Sequence, residues 1–277
     1  MIYQKIPLSQ KDPSIFLEAY VADQVGGLVR DAMLVIPGGG YGWLCSNREG
    51  EPIAHAFLAR GLNTFVLHYS VGEEAKFPRP LLQASLAIHY IKTHAEQFHI
   101  NPTRVFACGF SAGGHLCAAL GTMWHLPEIY QTAGIPFGAN QITGMLPIYP
   151  VISALVNTHM PSFYNILGTA SPSHKDLERY SLELRVDKRT APAFLMHTAS
   201  DPVVSVENTL VFAKALTKHQ IPFELHIYPT GPHGIALANH VTDCGNPEEN
   251  IPAAAKWVDH AAQWINSCPA LPSQDQS

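Results

Sequence analysis

The stretch Phe106–Leu116, FACGFSAGGHL, places a serine between two glycines inside an otherwise apolar run. Gly109, Ser111 and Gly113 form the pattern Gly-x-Ser-x-Gly, which is typical of a sharp turn from a strand into a helix. In such a turn the glycines let strand and helix approach each other, and the serine hydroxyl is exposed at the tip. We therefore predict that Ser111 is a nucleophile at the start of a helix over 112–123.

On either side of this turn, short apolar runs rich in β-branched residues alternate with longer runs of helical periodicity. Strands that are apolar on both faces and separated by helices indicate a mostly parallel sheet covered by helices on both faces. The sequence therefore predicts an α/β fold. The predicted strands are 32–37, 63–69, 104–110, 193–199 and 223–228, and the predicted helices are 51–61, 79–98, 112–123, 207–219 and 253–267.

The chain of 277 residues fits one large domain of this class, without an internal repeat or a linker. Residues 151–190 have weaker periodicity and several turn formers, so we expect a small cap or an insertion over the sheet edge there. The C-terminal segment 269–277, PALPSQDQS, has the composition of a loose tail. We expect a single domain over 1–277.

A serine hydroxyl needs a positioned base to act as a nucleophile at neutral pH, and the base needs an acid to hold its tautomer. In an open parallel sheet, the loops at the carboxyl ends of the strands meet in one crevice. Asp201 comes directly after the predicted strand 193–199, and His233 lies in the turn-rich loop after 223–228. This chain order of Ser, Asp and His predicts a catalytic triad of Ser111, Asp201 and His233.

Other histidines and aspartates fit these roles less well. His197 and His226 lie within predicted strands, and His115 lies in the helix behind the serine, where packing explains it. Asp176 and Asp187 precede a strand instead of following one.

The negative oxygen that forms during attack on a carbonyl needs backbone N–H donors held in place. Ala112, directly after the predicted nucleophile, supplies one. The run PGGGYGW, 37–43, follows an earlier strand, and its glycines let bare amides approach, so we predict an oxyanion hole of Gly39, Gly40 and Ala112. A phosphate-binding loop is the alternative, but Trp43 stands where a dinucleotide fingerprint has Gly or Ala, and no Gly-Lys-Ser/Thr follows.

Together these residues resemble the α/β-hydrolase superfamily along nearly the whole chain. Within it the chain is similar to esterases related to hormone-sensitive lipase and to bacterial acetyl-xylan and other carbohydrate esterases. The resemblance implies hydrolysis of carboxylic esters through an acyl-enzyme, with short acyl groups, acetyl above all, preferred by the carbohydrate branch. It rests on the segments PGGGYGW, REGEPIAHAFLARGLNTFVLHYSV, GFSAGGHL, HTASDPVVSVENTLVFAKAL and PFELHIYPTGPHG.

The chain departs from the hormone-sensitive-lipase pattern at Pro37, which occupies the position of a histidine. Because proline cannot donate a hydrogen bond, we expect the glycine run to be held in another way. The amino terminus is also too short for that family's helical cap, which implies a shallow or differently covered pocket. Aromatic walls for an acyl or sugar group could come from Tyr41 and Trp43, our predicted substrate-binding residues beside the glycine run, and from Trp124, Phe163 and Tyr164.

These observations favour a serine carboxylesterase that hydrolyses short-chain, acetyl-preferring esters, including those of acetylated carbohydrates. Its partner would be a small-molecule ester, with an acetylated sugar as one form. Two alternatives stay open: an arylformamidase or other amide hydrolase of the same fold, and a non-catalytic binding protein on the same scaffold.

The composition and the absence of certain motifs limit which other partners and cofactors we expect. A net charge of -5 and a pI of about 6.3, without a run of Lys or Arg, argue against nucleic acid. We find no signal-peptide pattern and no apolar run of about 18 residues, so we expect a cytoplasmic protein without membrane contact. The 15 histidines form no motif with zinc spacing, and we expect neither metal nor cofactor. Homo-oligomerisation, through an edge strand or 151–190, stays open.

Overall fold

A computed structural model describes residues 1–271 of the chain. Its strands are β1 (Ile2–Pro7), β2 (Phe16–Val21), β3 (Arg30–Ile36), β4 (Asn63–His68), β5 (Ile100–Phe110), β6 (Gly144–Ile148), β7 (Ala193–Thr198) and β8 (Phe223–Tyr228). They form one sheet in the order β1-β2-β4-β3-β5-β6-β7-β8, in which β2 is antiparallel to both of its neighbours, β1 and β4, and all other pairs are parallel. The predicted α/β-hydrolase fold is confirmed.

The helices cover both faces of this sheet, as predicted. They are α1 (Ser46–Glu49), α2 (Glu51–Leu58), α3 (Arg79–Thr93), α4 (Ala112–Met123), α5 (Pro127–Tyr130), α6 (Met160–Leu167), α7 (His174–Tyr180), α8 (Glu207–Lys218) and α9 (Trp257–Ser267). Helices α2 and α9 pack on one face, and α3, α4 and α8 pack on the other. Each face buries its own apolar cluster, so the central strands are apolar on both sides.

Three strands are absent from the sequence prediction. Strands β1 and β2 form the antiparallel edge, where β1 exposes most of its residues and lacks the continuous apolar run of the centre. Strand β6 is short and contains Gly144 and Pro147, two residue types that are depleted in strands. It is nevertheless buried throughout, because β5 and β7 pair with it on both sides.

Helix boundaries differ from the prediction where the chain must turn back to the sheet. Helix α3 ends at Thr93 instead of 98, and the following turn closes at His99, whose φ is 50°, immediately before β5. Helix α2 ends at Leu58, and Gly61, with a φ of 92°, lies in the turn that follows it. Within 253–267 a short 3-10 turn precedes α9.

The segment 151–190, expected as a cap or an insertion, contains α6 and α7. The Asn165 side chain on α6 donates to the Gly40 carbonyl over 2.8 Å, which places this helix at the carboxyl edge of the sheet. Most of the expected tail at 269–277 lies outside the described residues.

Candidate active site

Ser111 lies in the turn between β5 and α4, with φ at 53° and ψ at -117°, a combination that residues with side chains rarely adopt. A Cβ at Gly109 would lie 2.1 Å from the Gly113 carbonyl oxygen, and a Cβ at Gly113 would lie 2.2 Å from the Ile36 carbonyl oxygen. Neither position can therefore hold a side chain. The two glycines allow β3, β5 and α4 to meet so closely that the serine is held at the amino end of the helix.

A continuous chain of hydrogen bonds joins three residues from three loops. The Ser111 hydroxyl donates to His233 Nε2 over 2.8 Å, and His233 Nδ1 donates to Asp201 Oδ2 over 2.7 Å. The strands before these residues are β5, β7 and β8, whose carboxyl ends lie at one edge of the sheet. The structure thus brings together the three residues singled out from sequence, in the geometry by which an imidazole accepts a serine proton.

Asp201 accepts hydrogen bonds from two backbone amides and from His233, and His197, whose Nε2 bonds the Val204 carbonyl, lies close by. The amides of Val203 and Val204 each donate to Oδ1 over 2.9 Å, and His197 Nε2 lies 3.3 Å from Oδ2 beside His233. Burial would raise the pKa of this carboxyl, but the hydrogen bonds of His197 and His233 and the charge of His233 lower it below its usual range. Asp201 is therefore ionised, as a partner of an imidazolium must be. His197 is not the base, but it contacts the acid.

The segment 37–43, called the glycine loop below, lies against Ser111. Its Gly39 and Gly40 have φ values of 122° and 62°, which side chains disfavour. The Gly38 amide donates to Glu49, whereas no hydrogen bond within residues 1–271 uses the amide of Gly39 or Gly40 as its donor. The Ala112 amide is the first of α4 and has no acceptor within the helix. The three amides predicted to bind an oxyanion therefore have no acceptor among the described residues, and Gly39 lines a cavity together with Ser111.

The glycine loop is held without the histidine that Pro37 replaces. The Tyr69 hydroxyl donates to the Pro37 carbonyl over 2.7 Å, the Gly38 amide donates to Glu49 Oε2 over 2.8 Å, and Asn165 holds the Gly40 carbonyl. Three anchors, from the end of β4, from α1 and from α6, therefore fix this loop. None of these side chains was assigned a role from sequence, because each comes from a distant segment.

Glu49 also connects the glycine loop to the loop of His233. The Tyr149 hydroxyl donates to Glu49 Oε1 over 2.9 Å and accepts from the Ala236 amide over 3.0 Å. The Tyr149 ring packs edge-on against the His233 ring at 5.2 Å between centroids. Burial raises the pKa of Glu49, although the hydrogen bonds from Gly38 and Tyr149 and the charge of His233 oppose this shift.

A small cavity, called the inner cavity below, opens beside Ser111. Its volume is about 160 Å³, and its lining residues are Gly39, Cys45, Arg48, Glu49, Ser111, His233 and Gly234. Arg48 pairs with Glu249 and donates to the Gly234 carbonyl, so its charge is compensated within the wall. The inner cavity is thus narrow and partly polar.

The two predicted substrate-binding aromatics have different positions. Tyr41 has no exposed surface, and its hydroxyl bonds His115 Nδ1 at 2.8 Å. Contrary to the prediction, the Tyr41 side chain is therefore buried against α4 and is not accessible to a substrate. Trp43 is 64% exposed, and its Cδ1 would lie 3.1 Å from a Cβ at Gly39, a residue that lines the inner cavity.

His159 is a residue near this site that sequence reasoning missed. Its Cε1 would lie 4.0 Å from a Cβ at Gly40, and its Nδ1 bonds the Ser162 hydroxyl at 2.9 Å. Burial lowers the pKa of His159, and the nearby charge of His233 lowers it further. The residue precedes α6 in the segment with the weakest periodicity, where no pattern marked it.

In the part of the chain that the structure describes, no three His, Cys, Asp or Glu side chains are grouped as a metal ion requires. No helix among the same residues has the length and apolar character needed to cross a membrane.

Comparison with known proteins gives a family and a set of relatives. The BD-FAE family model matches residues 17–216. Endo-1,4-beta-xylanase B of Butyrivibrio fibrisolvens is 39% identical over 218 residues, which cover 76% of this chain and 33% of that protein. An acetylxylan esterase of Xylanibacter ruminicola is 28% identical over 235 residues, which cover 80% of this chain and 46% of that protein. This chain therefore matches less than half the length of these two relatives.

A solved structure extends the similarity over nearly the whole chain. The crystal structure of an acetyl ester-xyloside bifunctional hydrolase from Caldicellulosiruptor lactoaceticus has a TM-score of 0.82 and 33% identity, and the match covers 95% of this chain and 96% of that one.

Proposed function

The chain belongs to the BD-FAE family, and we propose that it is a carboxylic ester hydrolase with Ser111 as its nucleophile. The observation that carries the proposal is the hydrogen-bond chain from Asp201 through His233 to Ser111, at a turn beside three amides that are free to bind an oxyanion. The names of its relatives include esterases and hydrolases of acetyl esters, which supports the same reaction.

The proposed reaction has two halves. His233 Nε2 takes the proton of Ser111 as its Oγ attacks the ester carbonyl, and Asp201 stabilises the imidazolium that forms. The amides of Gly39, Gly40 and Ala112 donate to the carbonyl oxygen as it becomes negative. His233 then gives its proton to the departing alcohol, which leaves an acyl-enzyme.

In the second half, water takes the place of the alcohol. His233 Nε2 accepts a proton from the water as it attacks the acyl carbonyl, and the same amides bind the oxygen again. The proton returns to Ser111 Oγ as the bond to the acyl group breaks, and the carboxylic acid is released. The cycle requires only groups that the chain itself supplies.

The inner cavity supports a short acyl group. Its volume of about 160 Å³ is close to that of a cavity that binds one benzene ring, and a longer hydrocarbon would lie against Arg48 and Glu49. Contact of an alkyl chain with these polar groups displaces their solvation without replacing it. The names of the relatives, acetylxylan esterase and acetyl ester-xyloside hydrolase, support an acetylated sugar as substrate.

Hydrolysis of 4-nitrophenyl acetate by the wild type and by Ser111→Ala tests this function. We expect the variant to fold normally and to lose roughly 10⁴-fold or more in kcat, because a triad without its nucleophile keeps only residual activity. A serine-reactive organophosphonate should label the wild type at Ser111 and leave the variant unlabelled. Ser14→Ala, at an exposed position, is the matched control. Turnover retained in Ser111→Ala would disprove the assignment.

Two substrate series separate the proposed function from the alternatives. Acetate, butyrate and octanoate esters of 4-nitrophenol test the inner cavity, and we expect kcat/KM to fall as the acyl chain lengthens. N-formyl aromatic amines test the amide hydrolase alternative, and we expect them to be poorer substrates than acetyl esters. Preference for the formyl amides would favour the arylformamidase instead.

A further inference from the structure

A second cavity, called the outer cavity below, lies next to the glycine loop and has no part in the mechanism above. Its volume is about 540 Å³, within the range of binding pockets for small molecules. The turn Gly72–Lys76 and the carboxyl end of α6 face each other across it. The lining residues are Gly72, Glu73, Lys76, Tyr164, Asn165, Gly168, Thr169 and Ala170.

Hydrogen bonds fix the walls of the outer cavity relative to the glycine loop. The Gly72 amide donates to the Tyr41 carbonyl over 2.8 Å, and the Phe77 amide donates to the Ile166 carbonyl over 2.9 Å. A Cβ at Gly168, the residue that ends α6, would lie 2.6 Å from Lys76 Cε, so the missing side chain makes room for the lysine stem. The outer cavity is therefore formed before any ligand enters it.

The outer cavity and the proposed oxyanion hole lie on either side of the glycine loop, and Asn165 contacts this loop from the side of the outer cavity. Asn165 lines the outer cavity, and its Nδ2 holds the Gly40 carbonyl. The same amide nitrogen would lie 3.4 Å from a Cβ at Gly42, so the glycine loop is the wall between the two sites. A substrate whose ester group reaches Ser111 can therefore extend across this loop.

The lining of the outer cavity matches a neutral sugar. Tyr164 is 37% exposed, and a tyrosine offers an apolar face and a hydroxyl, while Asn165 and Thr169 add further donors and acceptors. Lys76 and Glu73 have opposite charges, so the site favours neither an anion nor a cation. The mixed polarity also disfavours a lipid chain, because such a chain would leave these groups unpaired.

We propose that the outer cavity is a subsite for a sugar unit of a neutral glycan chain, next to the unit whose ester is cleaved at Ser111. The inference rests on the proposed function for its catalytic meaning, and it adds a binding site and a substrate form. The ester-bearing unit lies at the inner cavity, the chain crosses the glycine loop near Trp43, and the neighbouring unit contacts Tyr164 and Lys76. An oligosaccharide therefore binds more tightly than a single acetylated sugar.

Two variants test the subsite by kinetics. Tyr164→Ala removes the aromatic face, and Ala170→Trp fills the outer cavity. We expect KM for an acetylated xylo-oligosaccharide to rise about tenfold in both, the loss of roughly 1.4 kcal/mol of contacts, with kcat/KM for 4-nitrophenyl acetate unchanged. Tyr3→Ala is the control. This exposed tyrosine lies on β1 near the amino end of β4, whereas the outer cavity lies beyond the carboxyl end of β4. An unchanged KM for the oligosaccharide, or an equal loss with both substrates, would overturn the subsite and leave the esterase proposal standing.

Binding of xylo-oligosaccharide without acetyl groups tests the subsite without catalysis. We expect calorimetry to detect binding to the wild type, about tenfold weaker binding to Tyr164→Ala, and no change in Tyr3→Ala. This result would support the subsite even if no ester were hydrolysed. Absence of binding to the wild type, or equal affinity in Tyr164→Ala, would reject it even in an active esterase. The two proposals can therefore fail separately.

Discussion

Two buried carboxylates lie near His233, one from the loop after β7 and one from α1, and their environments shift their pKa values in opposite directions. Asp201 contacts the imidazole directly at 2.7 Å, and its hydrogen bonds outweigh burial and lower its pKa. Glu49 faces His233 across the inner cavity without bonding it, and burial outweighs its hydrogen bonds and raises its pKa. The donors around a carboxylate, and not its burial, decide whether it suits an imidazolium.

The difference gives the two carboxylates different tasks. Asp201 receives two backbone amides on one oxygen and lies against His197 and His233 with the other, an arrangement that fixes the tautomer of the base. Glu49 uses its oxygens on the Gly38 amide and the Tyr149 hydroxyl, so it positions the glycine loop. We infer that Asp201 acts on the proton relay and Glu49 acts on the oxyanion hole through the loop.

Asp201→Asn should have the largest effect of the changes that test this comparison. The amide keeps the shape but favours the wrong imidazole tautomer, so we expect kcat for 4-nitrophenyl acetate to fall about 10⁴-fold. Circular dichroism should show an unchanged fold. A loss of less than about 100-fold would mean that another group, Glu49 first, can orient His233, and the two carboxylates would then share one task.

Glu49→Gln should have a smaller effect on kcat. The glutamine oxygen can still accept from Gly38, but its NH₂ replaces the oxygen to which the Tyr149 hydroxyl donates, and this hydroxyl already accepts from Ala236. We expect the glycine loop to shift and kcat to fall about 10- to 100-fold with KM little changed, because donors aimed at the transition state are displaced. Glu51→Gln, two residues away at an exposed position, should keep wild-type kcat. A loss as large as that of Asp201→Asn would contradict the division of tasks.

The contributions of the two carboxylates to the unfolding free energy should depend on pH in opposite directions. The pKa of Asp201 is lower in the folded chain than in the unfolded chain, so its ionised form stabilises the fold at pH values above the unfolded-state pKa. This stabilisation is lost as pH falls through the folded-state pKa. Asp201→Asn should therefore cost about 2 kcal/mol of unfolding free energy at neutral pH. This deficit should shrink below about pH 4. The raised pKa of Glu49 acts in the opposite direction, because its contribution is present at acid pH and lost as pH rises through the folded value.

Glu49→Gln removes this pH-dependent cost at neutral pH but also loses the acceptor of the Tyr149 hydroxyl, so we expect its unfolding free energy to lie within about 1 kcal/mol of the wild-type value there. As pH falls, the variant should become less stable relative to the wild type. Urea titrations of wild type and both variants at several pH values measure these differences. Equal losses of unfolding free energy at neutral pH would show that both carboxylates are stabilised as anions, which would remove the contrast.

The sequence alone predicts the positions of functional residues that come soon after the end of a strand. Ser111, Asp201 and His233 were found because parallel strands end at one edge of a sheet, and the structure brings them together there. The glycine pattern around Ser111 was equally informative, since only glycine fits both flanking positions. Local pattern and topology were enough in these cases.

The residues that support the site could not be predicted in the same way. Glu49 lies within a segment quoted for its family resemblance, but its bond to Gly38 and Tyr149 depends on how α1, the glycine loop and β6 pack. Strand β6 itself was missed because burial by its neighbours outweighs its Gly and Pro. Asn165 and Tyr41 show the same limit, because their partners depend on tertiary contacts that periodicity does not encode.

Asn165→Ala should have the smallest effect on kcat. It tests a second anchor of the glycine loop, at Gly40 instead of Gly38. Glu49 holds the Gly38 amide, whereas Asn165 donates to the Gly40 carbonyl from outside, in a half-buried position. We expect kcat for 4-nitrophenyl acetate to fall only about 5- to 10-fold with KM unchanged, since loss of one such hydrogen bond costs about 1 kcal/mol. This small ester does not reach the outer cavity, so the measurement reports on the loop alone.

Asn165→Asp adds a pH-dependent measurement, which should change only if the side chain at 165 acts through its bond to the Gly40 carbonyl. An ionised carboxylate repels the Gly40 carbonyl, whereas a protonated one can donate to it, so we expect the ratio of variant to wild-type kcat to rise as pH falls. A matched change at the exposed Asn266 on α9 should leave this ratio flat. If Asn165→Ala keeps wild-type kcat and the ratio for Asn165→Asp is flat, then Glu49 and Tyr69 hold the glycine loop alone, and the buried carboxylate is the anchor on which the oxyanion hole depends.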